Sequence, residues 1–141
     1  MTRLMIAAAS LAGLLLATAA VHAPAEEKRD ARGPVFAGPL PNVPGKNLTA
    51  VLVSYPPGGK SPRHKHAGSV FAFVVSGSIR SECSATGPAR VYQAGEGFFE
   101  PPGSEHLVSE NASTSKPATL LAVFVADEGA QLTVPVAPPD R

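Results

Sequence analysis

The chain has 141 residues, one domain's length, with 13 glycines, 15 prolines and only 16% charged side chains. So many breakers exclude long helices and favour a turn-rich β fold, and the single cysteine, Cys83, excludes an internal disulfide. A formal charge of +1, with no basic run and no basic–aromatic interleaving, excludes a nucleic-acid-binding surface.

In chain order, the first expected element is an export signal. Arg3 gives a positive start, residues 4–20 form an apolar run rich in Ala and Leu, and the charged stretch 26–30 follows. This is the three-part pattern of a secretory signal peptide, assigned to residues 1–23. The run of about 17 residues stands at the short limit for a spanning helix. Val21-His22-Ala23 and Ala17-Thr18-Ala19 both have the small-x-small form of a cleavage site, the first followed by Pro24. A mature protein without Arg3 has balanced basic and acidic side chains. It is expected in the periplasm or outside the cell, with no stable membrane anchor. Residues 24–46, rich in proline, read as an arm or linker, residues 47–136 as the domain, and residues 137–141 as a tail.

Within the domain, short apolar runs alternate with breakers. Strands are expected over residues 48–55, 70–75, 79–83, 90–93, 98–99, 106–108, 120–125 and 132–136. Pro56-Pro57-Gly58-Gly59, Ser76-Gly77-Ser78, Thr86-Gly87-Pro88 and Pro101-Pro102-Gly103 are expected to turn the chain. The fold class is therefore all-β, a sandwich or barrel. On regular strands Val70, Ala72 and Val74 share one face, and Leu121, Val123 and Val125 share another. Both sets are expected to wall a cavity. Cys83 reads as a small buried apolar residue.

Three histidines remain after His22, which lies in the export segment. In Pro62-Arg63-His64-Lys65-His66 an extended backbone turns His64 and His66 to one face and Arg63 and Lys65 away. Taken alone, that segment also reads as a solvated basic loop. His106, from a neighbouring strand, would complete a three-imidazole set suited to Zn, Fe, Mn, Ni or Cu.

The spacing around these histidines resembles the cupin superfamily. Gly58 precedes His64-Lys65-His66 by five residues, and Gly77 stands where that motif closes. Gly95, Pro101, Gly103 and His106 fall in register with the second motif, and Asn111 comes one position late. The resemblance covers residues 48–125 and implies a double-stranded β-helix, or jelly-roll, barrel. It also implies a divalent metal ion held by His64, His66 and His106. The family's glutamate ligand would fall at Val70, which is not a carboxylate.

Three arrangements compete at that position. The favoured one leaves a three-histidine site with open positions. The second recruits Glu100, which a hairpin would return beside His106, as ligand or as the acceptor that fixes the His106 ring. In the third the metal has been lost. Glu105 should face away.

Such a centre is expected to act on a small organic molecule as an oxygenase or isomerase. The alternative is a non-catalytic cupin that binds or senses a small ligand or metal. A homodimer is expected, paired through an apolar outer strand at residues 118–126.

Overall fold

A computed structural model describes residues 28–29 and 33–137. The expected export segment, most of residues 24–32 and the end of the tail lie outside the described residues. Among the described residues every regular element is a strand, and no helix is long and apolar enough to cross a membrane. The strands are β1 (Lys28–Arg29), β2 (Phe36–Pro39), β3 (Lys46–Tyr55), β4 (His64–Lys65), β5 (Ser69–Ser76) and β6 (Ser78–Cys83). They continue as β7 (Gly87–Gln93), β8 (Gly97–Glu100), β9 (Glu105–Asn111), β10 (Ala118–Asp127) and β11 (Val134–Pro135).

Two antiparallel sheets face each other. A six-stranded sheet runs β1-β3-β10-β5-β8, with β2 also on β3, and a five-stranded sheet runs β11-β4-β9-β6-β7. From β3 to β11 the chain alternates between the sheets at every step but the β6–β7 hairpin, so the two form one double-stranded β-helix. Part of the expected arm, β2, pairs along β3 from Phe36↔Ala50 to Pro39↔Asn47.

The alternation of strand side chains decides what fills the space between the sheets. From β5, Val70, Ala72 and Val74 are buried; from β10, Leu120, Ala122 and Phe124 are. Ile79 on β6 and Phe98 on β8 complete the core. Gly77 turns β5 into β6 at φ 72°, and a Cβ there would lie 2.6 Å from the Pro117 carbonyl. Both facts require glycine.

Three expectations are corrected. Leu121, Val123 and Val125 are half-buried on the outer face of β10 and wall no cavity; their even-numbered neighbours do. Residues 120–125 are apolar at every position, so alternation carried no sign of which face turns inward. Nor is β10 an outer strand. It pairs over most of its length with both β3 and β5, and only its outward face is available to a second copy. The turn expected at Thr86-Gly87-Pro88 falls at residues 84–86, and Gly87 and Pro88 already belong to β7. Because β7 is the edge of its sheet, a missing proline N–H leaves no ladder bond unmade.

Candidate metal centre

The centre forms where β4 meets β9. His64 stands directly opposite His106 on that ladder, and His66 follows one residue beyond the strand. All three rings are buried, while Lys65 between the first two is exposed. Arg63 turns outward and donates to Glu105 at 2.9 Å, so Glu105 faces away as expected. Ring centroids of His64 lie 4.7 Å from His66 and 5.0 Å from His106. The possible ligand atoms of the three all fall within 4.8 Å of one another, so the set could hold a metal ion.

Backbone carbonyls fix two of the tautomers. His64 Nδ1 donates to the Pro62 carbonyl at 2.7 Å, and His66 Nδ1 to the Leu132 carbonyl at 2.8 Å. A carbonyl only accepts, so these nitrogens carry protons and each neutral ring turns a bare Nε2 lone pair inward. His106 is held at its other nitrogen: Nε2 lies 2.9 Å from Ser81 Oγ. The tautomer that donates Nε2–H to Ser81 leaves Nδ1 bare.

Glu100 completes the cluster. It is the cross-strand partner of Val70 on the β5–β8 ladder, so both side chains turn into the barrel. Its Oε2 lies 3.2 Å from His106 Nδ1 and 3.8 Å from His66 Nε2. Despite that proximity Oε2 accepts no hydrogen bond, and it is the buried side-chain polar atom without a partner among the described residues. The expected hairpin does not bring it there. The Pro101–Ser104 turn instead carries the chain from one sheet to the other, and Glu100 meets His106 across the interior.

Burial pushes the Glu100 carboxyl up to about 7. Burial, then repulsion from His64 and His66 whenever they are protonated, push His106 down to about 3. A proton is unwelcome on His106 and a bare negative charge is unwelcome on Glu100, for the same reason: little water reaches either. When Glu100 is ionised, carboxylate and imidazole lone pairs converge on one buried point. That arrangement suits a cation with nitrogen and oxygen ligands.

The centre opens on a cavity of about 100 Å³. Its apolar walls include Val51, Val53, Val70, Leu120 and Phe124, and Tyr55, Ser61 and Ser109 add hydroxyls. A bulge between β6 and β9 brings the last of these inside. Residues 106 and 109 have opposite parity on a regular strand, yet the register shift lets both point inward. Sequence reasoning missed Ser81 and the three hydroxyls. Ser81 did carry a signal, since it shares the parity of Ile79 and Cys83 on an otherwise apolar inner face. Asn111 serves the frame: its Nδ2 donates to the Pro56 and Lys116 carbonyls at 3.0 and 2.7 Å.

A jelly-roll barrel with histidines from the first ladder and the strand after the proline turn defines a small β-barrel class that can house a metal at one end. Residues 51–124 match the Cupin domain family, and the chain belongs to it. No curated protein matches the chain. An uncharacterised conserved protein with a double-stranded β-helix domain from Klebsiella pneumoniae shares the fold at TM-score 0.58 and 20% identity, covering 82% of this chain and 90% of its own. DMSP lyase DddQ from Ruegeria pomeroyi gives 0.56 at 23% identity, with 67% of this chain and 45% of that one covered. A variant of Bacillus subtilis oxalate decarboxylase gives 0.53 at 27% identity, with 63% and 24% covered. The chain therefore spans less than half of the lyase and about a quarter of the decarboxylase.

Proposed function

We propose that the chain is an exported small cupin that binds a divalent metal ion through His64, His66, His106 and Glu100. It acts as an oxygenase or isomerase on a small organic molecule. The observation that carries the metal reading is the buried Glu100 Oε2, which has no partner and sits among imidazole nitrogens. The likeness to an oxalate decarboxylase supports an enzyme acting on a small molecule. The Glu100 ligand takes the role that the cupin motif gives to the position of Val70, from one strand across.

When bound, the ion would supply a positive centre that polarises an oxygen of the substrate. The chain's own residues do the rest. Carbonyls of Pro62 and Leu132 aim His64 and His66, and Ser81 aims His106. The apolar walls exclude water and strengthen every charge interaction inside. We further propose a mature chain beginning after the segment 1–23, found in the periplasm or medium, and paired as a homodimer.

The test is metal analysis of the mature protein together with single His64→Ala, His66→Ala and His106→Ala variants. Oxygen uptake and isomerisation are then assayed on small diketones, hydroxy acids and aromatic diols. About one divalent ion per chain in wild type, sharply reduced in each variant, is expected. Full occupancy in the His106→Ala variant would overturn the ligand set, and a metal-loaded protein inert on every substrate would favour the non-catalytic binder.

A further inference from the structure

Away from the histidines, the cavity carries a second polar group that the metal reading does not use. The Tyr55 hydroxyl lies 2.8 Å from Ser61 Oγ and 2.8 Å from Ser109 Oγ. Tyr55 ends β3 in one sheet, and Ser109 belongs to β9 in the other, so the phenol reaches across the barrel. Ser61 is fixed to the same strand by its N–H, which donates to the Ser109 carbonyl at 2.8 Å. All three residues line the cavity.

Their place along the chain sets the spacing. Ser61 comes three residues before His64, and Ser109 three residues after His106. Three residues of extended chain span at most roughly 10 Å, and the inward side chains and the bulge in β9 shorten the gap. A cavity of about 100 Å³ compares with the roughly 150 Å³ that holds benzene. The occupant is therefore small, with a handful of non-hydrogen atoms. A metal ion balanced by one carboxylate leaves net positive charge at the histidine end, which favours an anion there. Hydroxyls both donate and accept, so the other cluster can turn its protons to meet a hydroxyl or carbonyl oxygen. The walls between the two are apolar.

Resting on the metal reading, we propose that Tyr55, Ser61 and Ser109 form the distal anchor of the ligand. They select a short carboxylic acid with a hydroxyl or carbonyl oxygen at its far end, its carboxylate directed to the metal centre. Tyr55 is a specificity-determining residue that positions the ligand.

The experiment compares β-hydroxypropionate with butyrate, acids of the same shape that exchange a terminal hydroxyl for a methyl group. Binding of each to the zinc-loaded protein is measured by calorimetry for wild type, Tyr55→Phe and Ser109→Ala. Wild type is expected to prefer the hydroxy acid by about tenfold, the size of one net hydrogen bond. In Tyr55→Phe, which keeps the ring and its packing, the preference should fall towards one while zinc content and butyrate affinity hold. Ser109→Ala should lower it too and stands in if Tyr55→Phe fails to fold. A structural hydroxyl would leave the ratio untouched. Zinc bound with no preference in wild type, or a preference that survives in the variants, overturns the anchor alone. A wild-type chain that takes up no zinc overturns the metal reading and the anchor with it.

Discussion

The two inner faces of the barrel are built from different chemistry. The six-stranded sheet turns Val51, Val53, Val70, Ala72, Val74, Leu120, Ala122 and Phe124 inward, and its polar contributions are Tyr55 and Glu100. The five-stranded sheet presents His64, Ser81, His106, Ser109 and Asn111. The first wall is mostly apolar, whereas the second sets the candidate ligands and their supports beside a smaller apolar share from Ile79 and Cys83. The difference explains why Glu100 is perturbed: it is a carboxyl buried on the apolar wall, facing the three histidines that could share a cation with it. Burial alone stabilises the first wall, whereas the second depends on its polar side chains being satisfied.

The largest effect that can break this comparison is on the apolar wall. Leu120→Ala should cost about 2–5 kcal/mol, read as a lowered urea midpoint. Leu121→Ala, one residue along and half-buried on the outer face, should cost no more than about half of that. Equal losses would mean that the inner and outer faces of β10 are misassigned.

Next in size is the carboxyl on that wall. Glu100→Gln should lower metal affinity by about 100-fold or more, beyond the roughly 10–100-fold typical of an outer support. Chelator competition measures it. In wild type, protons competing for the carboxylate should make affinity fall as pH drops below about 7, and in the variant, where only the imidazoles still compete, this fall should be shallower. For the metal-free protein the sign reverses. The folded carboxyl titrates at about 7 against 4.5, so its contribution to stability is intact below 4.5 and lost as pH rises through 7. Metal-free Glu100→Gln should therefore melt higher than wild type at pH 8, with no such gain at pH 4. His106, lowered from 6.5 to about 3, loses stability in the opposite direction, as pH falls.

The smallest effect sharpens the view of the ligand wall. Ser81→Ala removes the partner of His106 Nε2 and should lower metal affinity about tenfold with little change in fold stability. A loss as large as that of Glu100→Gln would place Ser81 in closer contact with the ion than its position implies.

Much of this was legible in the sequence because turns and histidines are punctual signals. Gly77, Gly95 and Gly103, each at positive φ, fall where the motif spacing places turns, and His64, His66 and His106 converge as their positions imply. What stayed hidden depends on which sheet a strand joins. Glu100 could be named as a candidate, but its route to His106 crosses the barrel, which hairpin reasoning from neighbouring residues cannot show. The inward face of β10 was unreadable because both of its faces are apolar. Ser109 was hidden by the bulge that shifts its parity.

The bond from His66 to the Leu132 carbonyl ties the centre to the far side of β10. Of the groups that aim and close the site, Pro62 and Glu100 lie close in sequence to His64 and His106, whereas Ser81 and Leu132 lie 25 and 66 residues from the histidines they meet. The last two contacts each require a long loop to close before they return any energy, which makes them slow to form. A partly folded chain therefore offers loose histidines but no finished coordination sphere. Under the proposed metal reading, tight uptake of an ion is then a late event in folding, and metal retention a gauge of whether the last segment has docked.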